Sequence, residues 1–366
     1  MNEQANNAKQ HRGVGKVAGR QRVTMQDIAR VAGCSQTTVS LVLNRNDSVK
    51  ISEETKKRVL DAAKTLGYSM PAQFSKSNST ERRPATLDGT IAFVVDDLAS
   101  SPEMVNAFNG VKQAVRDTGN LVLLAETQND PEVEPTTLRF FLNQKVAGII
   151  YATVFTRHVE VPEILKQSST PVLLLNCFSD DLSFPAVIPG EIAAGHTATN
   201  ALIKAGHRRI ATITGEPFME CAAGRTTGYR NALASADIPF DEDLVVEGNW
   251  LPSSGYAATR ELLELPSPPT AIFCQNDRMA IGCYEALKER GMSIPYDMSV
   301  IGFDDDETAR HLSPPLTSMI LPTRAMGRWV IEQLFHGPTE DQRHPLVKLE
   351  CELVERDSIT GPSPRD

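Results

Sequence analysis

The sequence predicts a chain of two fold classes, an all-α head near the amino terminus followed by a larger α/β part. Three observations predict this division. Residues 23–68 have helical periodicity with a glycine where the first helix should end, and apolar strand-like runs alternate with helical patterns from residue 88 onward. The charge also changes sign, because residues 1–83 hold 15 Lys and Arg against 7 Asp and Glu, whereas the rest holds 22 against 39.

The first helix of the head is predicted to begin after Thr24 and to end at Gly33. Thr24 has the side-chain oxygen of a helix cap, and a glycine tolerates the left-handed conformation that ends many helices. We expect Ile28, Val31 and Ala32 to face inward, because they recur at helical spacing.

Two further helices are predicted downstream. Ser35 is placed to cap the second helix, over residues 36–43, with Val39 and Leu43 on one face, and the third helix begins after Ser52. The third helix should turn four residues inward, namely Val59, Leu60, Ala63 and Leu66.

A helix, a glycine turn and a second helix form the helix-turn-helix pattern, whose second helix lies in the major groove of DNA. A small structural helical bundle would have the same pattern. The positive charge of the head favours the DNA-binding interpretation, because phosphate contacts need basic side chains.

Two segments flank the head. Residues 1–22 are polar and aperiodic and are predicted to be a flexible tail. Residues 69–87 are predicted to be a linker, because they are polar and contain Pro71 and Pro84. The larger part then comprises residues 88–362.

The larger part is predicted to be a doubly wound α/β structure, because strands separated by helices imply parallel sheets. Its apolar runs include GTIAFVVDD, LVLLAET, AGIIYATV, PVLLLN, RRIATITGE, AIFCQ and MSVIGFDD. The length predicts two subdomains. We place them at about residues 88–189 with 322–346 and at residues 190–321 with 347–362. Parallel sheets bind ligands at the carboxyl ends of their strands, so we expect a ligand in the cleft between the subdomains.

Several stretches resemble the lactose and galactose repressor (LacI/GalR) family of bacterial regulators. In the head they are VTMQDIARVAG, TVSLVLN and ISEETKKRVLDAAKTLGY, and in the larger part they include GHRRIATITGE, GRTTGYRNAL, FCQNDRMAIGCYEALKERG and SVIGFDDDE. The resemblance covers the head and nearly all the rest. It implies a DNA-binding head joined to a periplasmic-binding-protein-like effector domain, acting as a homodimer.

The resemblance also implies which head residues contact DNA. Bases are read at the start of the second helix and one turn later, which corresponds to Gln36, Thr37 and Leu41. Leu41 departs from the family, which often has Arg or His there, so we expect an apolar contact with a thymine methyl or no base contact. The other predicted DNA contacts are phosphate-binding or capping residues: Thr24, Ser35, Thr38, Ser40 and Asn44.

The linker departs from the family at its hinge. Family members insert a leucine of a short hinge helix into the minor groove, and no leucine stands at the corresponding position near Ser77 and Asn78. Phe74 is the one large apolar side chain nearby. Two interpretations stay open: Phe74 inserts into the minor groove as the wedge, or the linker is an unstructured tether and Phe74 packs on the core.

Five residues at predicted strand ends correspond to the family's effector contacts: Arg225, Asp304, Trp250, Asn276 and Asn176. Arginine, carboxylate and amide groups bridge sugar hydroxyls, and an aromatic face stacks on a sugar ring. Trp250 favours a sugar, because purine-binding members commonly have Phe there. Ser100, in the loop after the first strand, is a sixth candidate.

These residues also have structural interpretations. Asn276 could cap the helix that follows it, although we assign that cap to Asp277. Trp250 could be a core residue, and Arg225 could pair internally with a carboxylate. For residues 305–307 we prefer a solvated acidic loop.

Two loops of the predicted cleft depart from the family pattern. SSPEM stands at residues 100–104, where Asn-Pro-Phe is usual, and Gly190 and Glu191 stand where Asp-Asn is usual. The first loop follows the first predicted strand, and the second precedes the helix expected at Ile192.

Several classes of function find no support in the sequence. The six cysteines form no CxxC pair and are predicted to be free buried thiols, and the seven histidines lack metal-ligand spacing. The sequence has no nucleophile motif, no phosphate loop, no heptad repeat and no apolar run long enough to span a membrane. We therefore expect a cytoplasmic protein with no cofactor, no metal and no enzyme activity.

Two hypotheses of function follow. In the first, the chain is a transcriptional repressor that binds pseudo-palindromic operator DNA as a homodimer and is controlled by a sugar or sugar derivative, with a purine as the alternative effector. Replacing Arg225 by Ala should then abolish the ligand response and keep operator binding. In the second, the chain is a sugar-binding protein with a non-functional head.

Overall fold

The computed structural model describes residues 25–34, 38–39, 42, 52–65, 89–99, 102–116, 118–336, 344 and 346–362. They fall into two compact units that divide between Arg82 and Arg83, the helical head and the α/β part. Nine predicted site residues lie outside the described residues: Thr24, Ser35, Gln36, Thr37, Ser40, Leu41, Asn44, Phe74 and Ser100.

The described part of the head contains helix α1, Met25–Ala32, and helix α2, Glu53–Thr65, with Thr38, Val39 and Val42 helical between them. Gly33 has φ of +63°, the left-handed conformation predicted for the end of α1. Ser52 Oγ accepts a hydrogen bond from Thr55 N and so caps α2. One apolar core joins the three helical segments: Ile28, Ala29, Ala32, Val39, Val42, Val59, Ala62 and Ala63.

Two residues of the head that were predicted to face inward are exposed, so these predictions were wrong. Val31 and Leu60 are each 54% exposed, and their places in the core are taken by Ala29 and Ala62. Each residue turns a helix by about 100°, so Val31 and Leu60 lie more than a quarter turn from the centre of the buried faces that the smaller alanines define.

The described residues of the α/β part contain two six-stranded sheets. The strands are β1 Thr90–Val95, β2 Leu121–Glu126, β3 Gly148–His158, β4 Val172–Phe178, β5 Ala186–Pro189, β6 Ile210–Thr214, β7 Val245–Glu247, β8 Ala271–Cys274, β9 Ser299–Asp304, β10 Thr317–Ile320, β11 Leu346–Leu349 and β12 Leu353–Val354. The order is β11-β5-β4-β3-β1-β2 in the first sheet and β12-β10-β9-β8-β6-β7 in the second. All pairs are parallel except β10 with β12.

Helices alternate with these strands and cover both faces of the sheets. They are α3 Pro102–Val115, α4 Val133–Asn143, α5 Glu163–Lys166, α6 Glu191–Lys204, α7 Glu220–Ser235, α8 Pro252–Leu263, α9 Asp277–Glu289 and α10 Thr323–His336, with 3-10 turns at Glu242–Leu244 and Glu307–Arg310. The inner strands are buried on both faces, which explains their continuous apolar runs. The two-subdomain α/β fold class is confirmed.

The chain crosses between the two sheets at three places. It passes from β5 to α6 at Gly190, from β10 to α10 at residues 321–322, and from β11 to β12 at residues 350–352. The strand β11 pairs with β5, so the first sheet continues three residues beyond the subdomain boundary predicted at residue 346. A hydrogen bond of 2.8 Å from Gly190 N to Leu349 O joins two of the crossings.

Glycines let neighbouring helices approach to backbone contact. A Cβ on Gly110 of α3 would lie 2.1 Å from the carbonyl oxygen of Arg324 in α10, and one on Gly195 of α6 would lie 2.2 Å from the carbonyl oxygen of Arg225 in α7. No side chain fits at such distances without moving a helix.

We expect Gly110→Ala to lower the free energy of unfolding by about 1–3 kcal/mol, because overpacking outweighs the better helix propensity of alanine. Denaturant titration measures this change. Gln113→Ala on the exposed face of α3 is the matched control and should leave the stability unchanged. Equal stability of the two variants would contradict the close packing of α3 against α10.

Candidate functional site

A cavity lies between the two sheets at the carboxyl ends of their strands. It brings together five of the six residues predicted as effector contacts, Asn176 from the first sheet and Arg225, Trp250, Asn276 and Asp304 from the second subdomain. The remaining lining residues are Pro102, Glu103, Val154, Phe155, Thr156, Glu191, Cys221, Arg278 and Leu321.

Arg225 is the central cation of the cavity and is 4% exposed. Its Nε donates to Glu191 Oε2 at 2.7 Å and its Nη2 donates to Glu191 Oε1 at 3.3 Å. Its Nη1 donates to the carbonyl oxygen of Gln275, and its guanidinium lies 3.5 Å from the ring centroid of Phe303. These contacts fix the guanidinium plane and use three of its five N–H groups.

Glu191 is one of the cavity residues that the sequence analysis did not assign. It is 7% exposed, and besides its two bonds with Arg225 its Oε1 lies 3.2 Å from Thr156 Oγ1 of β3, whose one proton is shared between Glu191 and Asn176. The internal ion pair considered for Arg225 therefore exists, and Arg225 lines the cavity as well. The signal in the sequence was the departure from the family pattern at Gly190 and Glu191.

Asn176 is tied to the first sheet by all the hydrogen-bonding groups of its amide. Its Nδ2 donates to the carbonyl oxygens of Thr153 and Val154 at 3.0 Å each, and its Oδ1 accepts from Thr156 Oγ1 at 2.8 Å. Both N–H groups of the amide are used, so Asn176 can offer the cavity only the remaining lone pair of Oδ1, which is an acceptor.

Two aromatic side chains face the cavity from opposite subdomains. Phe155 and Trp250 have ring centroids 5.9 Å apart at 30°. The indole packs on Gly215, where a Cβ would lie 1.8 Å from Trp250 Cζ2, and its Nε1 donates to the Met219 sulfur at 3.1 Å. At 8% exposure Trp250 is a packed residue and a wall of the cavity at once.

Asp304 ends β9 and directs a carboxylate at the cavity. Its Oδ1 lies 4.0 Å from Arg225 Nη1, which is too long for a hydrogen bond. Burial, followed by repulsion from Glu103, raises the pKa of Asp304 well above its usual range. Asp304 is thus a carboxylate with weak compensation inside the cavity.

Three of the cavity residues have left-handed backbone, although none is a glycine. The φ angles are 61° at Asn176, 65° at Trp250 and 107° at Asp304. Such conformations persist only where the surroundings determine them, and they concentrate at functional sites.

The helix cap at α9 differs from the prediction. Asn276, not Asp277, is the cap residue, because its Oδ1 accepts from Met279 N at 2.8 Å. Its Nδ2 donates to the carbonyl oxygen of Trp250 at 3.0 Å. Asn276 therefore holds the start of α9 against the loop that carries Trp250, and it also lines the cavity.

Asp277 is buried beneath the loop after β9. Its Oδ1 accepts from Ser318 Oγ at 2.6 Å and its Oδ2 accepts from Asp306 N at 2.8 Å. A Cβ on Gly302 would lie 2.1 Å from Asp277 Oδ1, so glycine is required there. Burial raises the pKa of Asp277 to about 7.

The prediction of a solvated acidic loop at residues 305–307 was wrong for Asp305. Its side chain is 8% exposed and forms ion pairs with Arg356 and, at 3.5 Å, with Arg310. The pairing is possible because Asp305 also has left-handed backbone, with φ of 51°, which turns it away from the solvent.

Other groups of the described part are inert. All six cysteines are free thiols, five of them buried, and burial raises the pKa of Cys221, which lines the cavity, to about 12. Within the described ranges no group of His, Cys, Asp and Glu is arranged to hold a metal ion. None of the helices in the described part is both long and apolar enough to cross a membrane.

A helical head followed by two sheets with a ligand-sized cleft between them defines a DNA-binding regulator with a sensory domain. Residues 24–70 match the family model "Bacterial regulatory proteins, lacI family", and residues 199–359 match "Periplasmic binding protein-like domain". The ribose operon repressor of Haemophilus influenzae is 31% identical over 335 residues, which are 91% of this chain and 98% of that protein.

Two further relatives agree. The PurR transcriptional repressor of Haemophilus influenzae is 30% identical over 343 residues, 92% of this chain and 98% of that protein. The solved complex of the transcriptional regulator CelR with cellobiose has a TM-score of 0.64 at 31% identity and covers 92% of this chain and 100% of that one. The chain belongs to the lacI family and is a DNA-binding transcriptional regulator.

The buried carboxyl of Asp277 predicts a pH dependence of stability. Its pKa of about 7 in the folded chain exceeds the ordinary 3.8, so the folded state holds this proton more tightly than the unfolded state. The contribution is fully present below pH 4 and is lost as the pH rises through 7, by up to about 1.4 kcal/mol per pH unit.

Asp277→Asn removes this titration and replaces one of the two acceptor oxygens that bind Ser318 Oγ and Asp306 N by an amide donor. We expect a variant that is less stable at pH 4 but whose free energy of unfolding falls less between pH 4 and 7 than that of the parent chain. Denaturant titrations across this range measure both slopes. Parallel pH profiles for the two proteins would show that Asp277 keeps an ordinary pKa.

Proposed function

We propose that this regulator is a repressor that binds a palindromic operator as a homodimer and responds to a small polyhydroxylated effector in the cleft. The carrying observation is the cavity itself, in which the polar side chains of Arg225, Asp304 and Asn176 line the same space as the aromatic side chains of Phe155 and Trp250. Convergent polar groups and an aromatic wall are the composition of sugar sites.

Three contacts between the subdomains support a response by cleft closure. His158 N donates to Glu220 Oε1 at 3.1 Å, Thr156 Oγ1 contacts Glu191, and Phe155 contacts Trp250. A ligand that touches both subdomains changes the balance between open and closed forms, and thereby the affinity for DNA. Such coupling free energies are typically about 1–3 kcal/mol.

DNA recognition is assigned to the head. Its excess of basic side chains suits phosphate contacts, and we assign base readout to Gln36 and Thr37 of the second helix. Leu41 makes an apolar contact with a thymine methyl or reads no base. Two roles of Phe74 remain open in this proposal: it inserts into the minor groove as the wedge, or it packs on the core. Relatives named as a ribose operon repressor and a PurR repressor support the repressor role.

The apolar face at the edge of the first sheet supports the homodimer. Leu121 and Leu123 of the edge strand β2 are 69% and 45% exposed, and Val105 of α3 is 41% exposed. Exposed apolar side chains on an edge strand favour a partner chain that covers them.

A non-enzymatic, cytoplasmic role completes the proposal. The raised pKa of Cys221 keeps the thiol of this cavity residue protonated, so it is no activated nucleophile. A sugar is preferred over a purine, because the cavity's polar atoms suit hydroxyl groups and the CelR relative was solved with cellobiose.

The first test is selection of bound sequences from a random DNA pool by the full chain, with and without a panel of sugars and purine bases. We expect an enriched palindrome whose binding is weakened by one sugar. Enrichment that only a purine changes would keep the repressor and replace the effector class. No enrichment at low salt would favour a binding protein with a non-functional head.

The second test separates ligand response from folding. Arg225→Ala alone leaves Glu191 buried without its cation, which costs about 3–5 kcal/mol. We therefore combine Arg225→Met with Glu191→Gln and expect operator binding to persist while the effector response falls at least about tenfold, because the cavity loses its fixed donors.

The matched control is Arg209→Met with Asp241→Asn. That ion pair has a similar N–O distance of 2.8 Å but is about one-third exposed, with Arg209 at 32% and Asp241 at 36%. A wild-type effector response in the Arg225 and Glu191 double variant would refute the assignment of the cavity.

A further inference from the structure

The charge of the cleft limits what the effector can be. The lining holds three carboxylates, of Glu103, Glu191 and Asp304, and two guanidinium groups, of Arg225 and Arg278. The two loops that depart from the family pattern supply two of these carboxylates, Glu103 after SSP and Glu191 after Pro-Gly. In the first loop the family pattern has no acidic residue, and in the second loop its acidic residue stands one position earlier than Glu191.

The positive charge of Arg225 is largely neutralised by Glu191 and attracts an anionic ligand only weakly. Glu191 binds its Nε and Nη2 in a bidentate arrangement, and both side chains are more than nine-tenths buried. A buried, bidentate carboxylate neutralises the guanidinium where the solvent cannot screen the pair. Arg225 can still donate hydrogen bonds, but an anionic ligand would have to compete with Glu191.

The charge of Asp304, in contrast to that of Arg225, has no close partner of opposite charge. It is 14% exposed, and its closest cation is Arg225 at 4.0 Å, which is already paired. Burial and the neighbouring Glu103 both raise the pKa of Asp304, as expected for a carboxyl group without a close unpaired cation. A cation beside Asp304 would favour its charged form, and a second anion would disfavour it.

Arg278 is the one group of the lining that could favour an anion. It stands in the first turn of α9 and is partly buried. In the described part of the chain Arg278 forms no ion pair. With Arg225 bound to Glu191, the single charge of Arg278 offsets at most one of the other two carboxylates of the lining, so the lining keeps a net negative charge.

We infer that the cleft selects a polyol whose positively charged amino group binds against Asp304 and Glu103, and that it rejects acidic and phosphorylated polyols. This inference rests on the proposed effector function and adds the charge class of the ligand. The hydroxyl groups of the same molecule bind the remaining donors of Arg225 and the acceptor of Asn176.

The test uses matched sugars on the full chain. Glucose, galactose and mannose are each compared with their 2-amino, uronic acid and 6-phosphate forms, and binding is followed by the fluorescence of Trp250 in a Trp329→Phe background. The chain has two tryptophans, so this background isolates the cleft signal. We expect at least one amino sugar to bind about tenfold tighter than its neutral parent. This difference in affinity should become smaller at high salt. We expect no acidic form to bind.

Substitutions assign the preference to the carboxylates. Asp304→Asn should lower the ratio of amino to neutral affinity by about tenfold. Glu103→Gln should also lower this ratio, and this variant keeps the test informative if Asp304→Asn loses all binding. Glu285→Gln, at an exposed position of α9, is the control and should leave the ratio unchanged.

Each other outcome overturns the inference. A neutral sugar that binds as tightly as its amino form, or an acidic form that binds at all, refutes the charge class. If such binding disappears in the Arg225 and Glu191 double variant, the effector function stands and only the charge inference fails. If no sugar of the set binds, both the charge class and the sugar assignment fail, while DNA selection still tests the regulator.

Discussion

The buried ion pair between Arg225 and Glu191 is the interaction on which the cleft depends. Glu191 is the first residue of α6, directly after the chain leaves the first sheet, and Arg225 belongs to α7 of the second subdomain. The pair holds the guanidinium plane toward the cavity, and Thr156 of β3 joins it from the first sheet. Removal of either partner would leave an uncompensated charge at the junction of the subdomains.

The close packing of α6 and α7 explains why this pair has one geometry. Gly195 lets the two helices meet at backbone distance next to Arg225 itself. Ion pairs between long side chains usually lose energy to side-chain ordering. Here the helices order both side chains in advance, and the ring of Phe303 supports the guanidinium from one side.

The fold class could be predicted because each element has its own periodicity. The family resemblance, together with the rule that ligands bind at strand ends, then assigned Arg225, Trp250 and Asp304 to one cleft. Pairings over long sequence distances could not be predicted. Glu191 is 34 residues from Arg225, and Asp305 is 51 residues from Arg356. A charged side chain can be buried only when such a distant partner compensates its charge. The residues next to it in the sequence do not identify that partner.

The three crossings of the chain have a mechanical consequence. They lie at the carboxyl ends of the strands, and the hydrogen bond between Gly190 and Leu349 joins two of them. Under the proposed closure of the cleft, each subdomain would rotate as a block about these crossings. The first strand begins at Thr90, at the end of the sheet farthest from the cavity, about 20 Å away along β1. A slight closing at the cavity would then become a larger displacement at Thr90.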